Sequence, residues 1–406
     1  MVCKSPYLMK IVQVNTGDTG GAFQAAYRLQ HGLQTQGVTS DFLVLYQQRK
    51  ELHDVQEFLG NQSFISRIKH SVRFNLLQRK IDKAIHGKPA ALFRFPYSPF
   101  RIQEHPLVRQ SDIVHLHWMA KFLDYPTFFR EIKQPVVWTL HDTNPFNGGF
   151  NYESYALPEY QQLDAMIRAV KKTHLAEADN LHIIGISKWI LRLSQQSELL
   201  GRFPHHYIPN GIDVSVFKPS DKMAARRFFN LPQDKKIILF VAEALDDKRK
   251  GFAFLEESLR LLSPESALLV TLGKGSVSSH LPVHSLGFIS DPERIALAYA
   301  AADIFVIPSL EDNLPNSVME AIACGTPVAG FEVGGIPDMV RHGENGLLAA
   351  AQDSTQLGNH MLQLLSDDIM REKMGLRARE IAIAEYSLEI QAKRHMALYS
   401  SLLQGR

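Results

Sequence analysis

The sequence predicts an α/β protein built from two doubly wound units. Short β-branched runs alternate with segments of helical period, which is the pattern of parallel sheets covered by helices. That alternation restarts after a stretch at 208–218 where Pro209, Asn210-Gly211 and Pro219 crowd together. A length of 406 residues gives each unit about 200 residues, enough for a full core.

The first unit opens with the run Ile11-Val12-Gln13-Val14, followed by a glycine loop at 16–21. Ala22, Ala26, Leu29 and Leu33 then fall on one helix face, stopped by Gly37, and Phe42–Leu45 forms the next strand. Strand, glycine loop, helix and strand make a βαβ unit, so the sheet is expected to be parallel. Residues 113–117, 136–140 and 183–186 continue as strands, with helices over 158–178 and from Ser187 onward. The second series runs strand 237–242, helix 252–262, strand 268–272, helix 292–301, strand 304–307, helix 317–324 and strand 327–331. The expected domains are 1–212 and 213–385, with a last helix over about 386–404. Ligands of open α/β sheets sit beyond the carboxyl ends of the strands, which directs attention to the loops there.

Composition narrows the class. Lys+Arg 44 against Asp+Glu 42 leaves +2, too little for a dedicated nucleic-acid binder. The two cysteines, Cys3 and Cys324, exclude a disulfide scaffold and a cysteine-rich metal module. There is no run of 18 apolar residues, and the start lacks the apolar region of a signal peptide, so a cytoplasmic enzyme is expected. The charge is uneven: residues 64–101 hold nine basic residues against Asp82 alone, a net of +8 that leaves −6 for the rest. In this stretch Ile65, Ile68, Val72 and Leu76 have helical spacing, with Leu77, Ile81 and Ile85 on an adjacent stripe. Such a face suits either an anionic lipid surface or ordinary packing of a helical pair, and its aromatic residues suit an acceptor groove.

Four segments carry the chemistry. Pro308–Ala321 places Glu311 and Asp312 in a polar loop between a strand and a helix start near Ser317; carboxylates accept from sugar hydroxyls, and the free N–H groups suit an anion. Ser317-x-x-Glu320 also fits a capping box, which needs no ligand. Asp246–Gly251 is a cationic loop at a strand end, in which Arg249 and Lys250 suit a diphosphate. The loop Gly17-Asp18-Thr19-Gly20-Gly21 is not the GxGxxG dinucleotide fingerprint, and no acidic residue ends strand 42–45, so a nicotinamide enzyme is disfavoured. His141-Asp142 ends strand 136–140. His115 and His117 share one strand face without a third metal ligand, so packing is the expected role and no metal site is expected.

The Pro308–Ala321 segment resembles the Glu-x7-Glu signature of family 4 glycosyltransferases, retaining enzymes of the GT-B fold that use nucleotide-activated sugars. The resemblance runs from the glycine loop to Gly334-Gly335-Ile336-Pro337 and His342–Gly346, and is strongest to enzymes of exopolysaccharide and colanic-acid-type assembly. It implies two Rossmann-like domains facing a central cleft, the last helix returning to the first domain. It also implies a donor site of Gly20, Gly21, Glu311, Asn313, Leu314, Pro315, Asn316, Ser317 and Glu320, with Glu320 on the ribose. Lys250, Arg249, Asp312 and His141 are the implied catalytic set. Eight residues before Glu320 stands Asp312 rather than Glu, and the family's earlier Arg is replaced by Glu243-Ala244. The loop Gly287, Phe288, Ile289 is expected to touch the base, and nothing in it separates uracil from guanine; the resemblance implies a UDP- or GDP-sugar as substrate, with no further cofactor. The implied acceptor is a glycan or lipid-linked saccharide, with peripheral contact at the inner face of the membrane through 64–101. An epimerase of the same fold and an inactive nucleotide-sugar-binding partner are the competing readings.

Overall fold

The computed structural model describes residues 9–60, 64–85, 93–152 and 156–404. The chain divides into two compact units, residues 1–210 with 391–406 and residues 211–390.

In the first unit, β1 (Lys10–Gly17), α1 (Gly20–Thr35), β2 (Thr39–Tyr46) and β3 (Val55–Glu57) are followed by α2 (Phe64–Ile85) and α3 (Pro106–Gln110). Next come β4 (Ile113–Leu116), α4 (Tyr125–Glu131), β5 (Val136–Leu140), α5 (Gln161–Leu175), β6 (Leu181–Gly185), α6 (Lys188–Gln196) and β7 (His205–Tyr207). The strands form one sheet in the order β3-β2-β1-β4-β5-β6-β7, every pair parallel. Strand period 2 divides the central strands sharply. Val12, Val14, Val114, Leu116, Val136 and Trp138 enter the main apolar core. The alternate positions Gln13, His115 and Thr139 are also buried, but polar.

The second unit contains α7 (Lys222–Phe228), β8 (Lys236–Ala244), α8 (Phe252–Leu259), β9 (Ala267–Lys274), β10 (Val283–Ser285), α9 (Pro292–Ala301) and β11 (Ile304–Ile307). It continues through α10 (Asn316–Ala323), β12 (Val328–Phe331), α11 (Ile336–Met339), β13 (Gly346–Ala349), α12 (Ser354–Ser366) and α13 (Asp368–Tyr386). Its six parallel strands are ordered β10-β9-β8-β11-β12-β13. Ile238, Phe240, Leu269, Val306 and Phe331 anchor its core. The final helix, α14 (Leu388–Gln404), brings His395 and Tyr399 against His115 of the first unit.

The expected elements appear with shifted ends. The helix expected over 158–178 enters through a 3-10 turn at Pro158–Tyr160 and stops at Leu175, and α8 stops at Leu259. The edge strands β3 and β10 are three residues long, too short to show a period in the sequence. Residues 64–85 form one helix rather than a helical pair. On it Ile85 is buried, whereas Ile68 (48%), Val72 (52%) and Leu76 (53%) are exposed, so this stripe does not pack on the unit. The side chains of Ile65, Arg67, Lys69 and Lys80, and Lys88 as a whole, lie outside the described residues.

Asp303, just before β11, ties the base of the second sheet together. Its carboxylate accepts from Arg226 Nη2 at 2.7 Å, Lys222 Nζ at 2.9 Å and the Ile237 amide at 2.7 Å. Burial pushes its pKa up, but Lys222, that amide and Arg226 outweigh this and hold it below the ordinary 3.8. Its contribution is therefore complete above about pH 4 and lost as pH falls through the folded value. Asp303→Asn, which leaves Arg226 buried without its charge partner, is expected to cost about 3 kcal/mol in urea unfolding at pH 7. The difference from wild type should shrink below pH 4.

Candidate functional site

In each sheet the chain winds outward in both directions from a central strand pair, β1 and β4 in the first unit and β8 and β11 in the second. Loops leaving the carboxyl ends of such a pair diverge and leave a crevice. The glycine loop, Arg249, Lys250 and the residues of the Pro308–Pro315 loop fall here, whereas His141 follows β5, Gly287–Ile289 follow β10 and Glu320 stands in α10.

In the second unit, the loop after β8 turns through a 3-10 segment at Lys248–Lys250 and meets the loop after β11. Lys250 Nζ donates to Asp312 Oδ2 at 2.5 Å, and Arg249 Nη1 lies 3.5 Å from the same oxygen. Arg249 Nη1 also donates to the Glu311 carbonyl at 2.7 Å, and the Arg249 carbonyl accepts from the Leu310 amide at 2.8 Å. Two glycines permit the approach. Gly251 sits at φ +70°, and a Cβ there would lie 1.9 Å from the Pro308 carbonyl oxygen; Gly334, at φ +57°, would put one 1.8 Å from that of Asp312. Burial raises the pKa of Asp312, but Lys250 and Arg249 overcome this and hold it below the ordinary carboxylate value. Asp312 is thus an anion clamped between two cations, with Ser309 Oγ donating from 3.3 Å.

Glu320 departs from the capping reading. The N-cap of α10 is Pro315, so Ser317 lies inside the helix and cannot form the first half of a capping box. Tyr299 Oη donates to Glu320 Oε2 at 3.2 Å, holding the carboxylate from α9. Asn313, Leu314 and Pro315 are buried beside Asp312, whereas Glu311, Asn316 and Ser317 are half-buried. In the loop after β10, Gly287 takes φ +67°, Ile289 is buried and Phe288 is 56% exposed, with Lys274 Nζ 4.7 Å from its ring centre.

In the first unit, Gly20 at φ +83° opens α1, and Thr19 as N-cap supplies no side-chain hydrogen bond. The glycine loop is fastened to the loop after β4: the Thr16 amide donates to the Trp118 carbonyl at 2.8 Å, and the Trp118 amide to Asn15 Oδ1 at 2.8 Å. His141 does not stand alone. Its Nε2 is 3.1 Å from His117 Nδ1, and His117 Nε2 is 3.0 Å from the Gln13 side-chain amide. His115 joins Thr139 Oγ1 and Tyr399 Oη at 2.7 Å each. The period-2 polar face of the sheet is therefore an imidazole layer, closed by α14. Burial lowers the pKa of His141 and of His395 to about 4, and drives His115 and His117 well below 6.5.

Sequence reasoning missed two residues here, Lys171 and Arg94. Lys171, buried on α5, reaches the loop after β5 and donates to the carbonyls of Asn144 (2.6 Å), Asn147 (3.1 Å) and Gly148 (2.6 Å). Burial lowers its pKa to about 7 against the pull of Asp142 and Asp164. Asp142, raised to about 6 by burial, accepts from Trp118 Nε1 and the Asn144 amide at 3.0 Å each. Arg94 lies over the Trp118 ring at 5.5 Å. Lys171 stands in a helix of ordinary amphipathic pattern and Arg94 in a basic run, so neither carried a distinguishing signal.

Two open parallel sheets of this construction, with paired loop clusters at their switch points, define the GT-B class of glycosyltransferase. Residues 19–216 match the Glycosyltransferase Family 4 model and residues 235–367 the Glycosyl transferases group 1 model. The chain is a glycosyltransferase of GT-B type carrying both domains. It is 24% identical to an N-acetyl-alpha-D-glucosaminyl L-malate synthase of Bacillus anthracis, over 72% of this chain and 75% of the relative. It is 28% identical to a D-inositol 3-phosphate glycosyltransferase of Nocardia farcinica, over 71% and 66% respectively. Among solved structures, it shares the fold of a sucrose-phosphate synthase from Thermosynechococcus elongatus (TM-score 0.71, 22% identity, 98% of this chain and 100% of the other). It also shares that of Anabaena HepE in complex with UDP and glucose (TM-score 0.68, 18% identity, 97% and 100%).

The imidazole layer has a pH signature. Because these histidines are neutral in the fold and protonate more readily when unfolded, unfolding takes up protons between about pH 6.5 and pH 4. Stability in urea should therefore fall as pH drops through that window. His141→Asn should flatten the slope by about one proton near pH 5.

Proposed function

We propose that this chain transfers a sugar from a UDP- or GDP-sugar to a glycan or lipid-linked saccharide acceptor, with retention of configuration, in cell-surface polysaccharide synthesis. The carrying observation is the Arg249–Lys250–Asp312 cluster at the switch point of the second sheet. Lys250 and Arg249 converge on Asp312, with Asp247 3.6 Å from the far side of Arg249, and a pair of cations held this way at a strand end suits a nucleoside diphosphate. Glycosyl transfer requires stabilisation of that departing diphosphate, and preorganised cations do this without reorganising at the moment of reaction.

In this reading Lys250 and Arg249 hold the diphosphate, and Asp312 keeps both side chains aimed while it orients the sugar. Glu320, fixed by Tyr299, takes the ribose hydroxyls, and exposed Phe288 offers its face to the base. The helix start at Asn313–Ser317 adds backbone donors. In the first unit, the N-terminus of α1 at Gly20 and Gly21 is a second place for negative charge, and His141 supplies a neutral imidazole for a hydroxyl. These residues handle the charge by side chains and backbone, with no metal invoked. The HepE structure named above holds UDP and glucose, which supports a nucleotide-sugar donor.

The exposed stripe of Ile68, Val72 and Leu76 on α2, with Arg73, Arg79 and Lys83 on the same helix, supports peripheral contact with an anionic membrane. No helix among the described residues is long and apolar enough to cross one.

Transfer is tested by nucleoside diphosphate release that requires donor and acceptor together; release without acceptor would instead favour donor hydrolysis, and epimerised donor an epimerase. Lys250→Ala and Glu320→Ala should each weaken UDP or GDP binding by about tenfold or more in calorimetry. Unchanged affinity and turnover in both variants would sink the reading. Membrane contact predicts co-sedimentation with vesicles rich in phosphatidylglycerol, weakened by added salt and by Val72→Glu with Leu76→Glu.

A further inference from the structure

Arg94 is the side chain that the reading above leaves unused. It follows the basic stretch and is held in place by backbone pairing: its amide donates to the Gly149 carbonyl at 2.7 Å, beside the Phe93–Phe150 bridge. Its guanidinium rests on Trp118, yet its buried Nε has no hydrogen-bond partner among the described residues. An orphaned buried donor on a charged group is costly unless something binds it. Asp142 is its nearest electrostatic counterweight, but that carboxylate also faces Lys171 and already accepts from Trp118 and Asn144. The surrounding imidazoles are neutral.

Arg94 also lies where two cavities meet. On one side is an apolar cavity of about 130 Å³, walled by Phe74, Leu77 and Ile81 of α2 with Phe93, Phe95 and Tyr97, and carrying Lys121 as its other cation. On the other is a narrower polar recess containing Trp118, His141, Asp142 and Asn151. The side-chain oxygen of Asn151 is likewise buried without a hydrogen-bond partner among the described residues. An orphaned donor and an orphaned acceptor together match an oxyanion next to a hydroxyl.

We propose that Arg94 is the anchor for the phosphate of an amphiphilic acceptor, whose alkyl part fills the apolar cavity and whose saccharide points into the recess beside His141. This deepens the proposed function and rests on it for the word acceptor; the binding site itself does not. The polarity follows from the walls. The end toward α2 is hydrocarbon and continues toward the helix bearing the exposed Ile68–Val72–Leu76 stripe, whereas the end toward β5 is hydrogen-bonding. A charged phosphate ester between the two is the group that Arg94, with Lys121 at the same cavity, would pair. Trp118 beneath the guanidinium offers a flat surface to a sugar ring.

The test is calorimetric titration of the full chain with octyl phosphate, inorganic phosphate and octyl β-glucoside, all below micellar concentrations. Octyl phosphate is expected to bind at least about tenfold tighter than either other probe, because only it satisfies both the cation and the hydrocarbon. Arg94→Gln should weaken it about tenfold and Arg94→Lys by less, while Leu77→Asn should weaken octyl phosphate but leave inorganic phosphate unchanged. UDP and GDP, titrated in parallel, should bind Arg94→Gln as they bind wild type, which also reports that this variant is folded. Equal binding of octyl β-glucoside, or an octyl phosphate affinity indifferent to Arg94, overturns the proposal. If octyl phosphate binds through Arg94 while neither nucleotide binds, the site stands and the transferase reading falls. With nucleotide bound and octyl phosphate excluded, this site alone falls.

Discussion

The pairing of Lys250 with Asp312 is the contact around which the candidate site of the second unit is built. It joins two loops from strands that are neighbours in the sheet and 62 residues apart in the chain. A buried carboxylate is unfavourable unless matched, and here it is matched twice, by Lys250 and Arg249. Each cation is consequently held in place, with little side-chain freedom left. Gly251 is the backbone condition for this, since a side chain there would collide with the Pro308 carbonyl of the partner loop; Gly334 does the same for the loop after β12, which packs against the Asp312 carbonyl.

The first unit solves a different problem with the same sheet geometry. Its switch point is fastened by backbone, through Thr16 and Trp118, and its chemistry lies one strand further on. There a layer of buried polar side chains replaces hydrocarbon on one face of the sheet. A polar layer is tolerable only where each member finds a partner, and the imidazoles find them in one another, in Gln13 and Thr139, and in Tyr399 from α14. The terminal helix is thus part of the support of His141, although nothing in its own apolar pattern says so. Lys171 acts likewise on the next loop, gathering three carbonyls into one turn by a single ammonium.

The uneven charge of the sequence acquires a physical meaning from α2. Had Ile68, Val72 and Leu76 been covered, the basic residues beside them would be only a wet helix face. These apolar residues are exposed beside arginine and lysine, on the same helix whose Phe74, Leu77 and Ile81 wall the apolar cavity that reaches Arg94.

What the sequence determined by itself was the alternation of strand and helix and the loops that matter. Both are local: β-branched runs, glycine punctuation and the offset of eight between Asp312 and Glu320 are visible in one dimension. It also placed the basic stretch and the shared face of His115 and His117, because strand and helix periods are fixed by the backbone. What only the tertiary structure decided was who pairs with whom. Ser317-x-x-Glu320 satisfies a local capping rule, yet Glu320 answers to Tyr299 on another helix. His141 looks solitary until β4 lies beside β5. Arg94 is one basic residue among nine until folding buries its Nε between two cavities. Each of these depends on contacts distant in the chain, which no local period encodes.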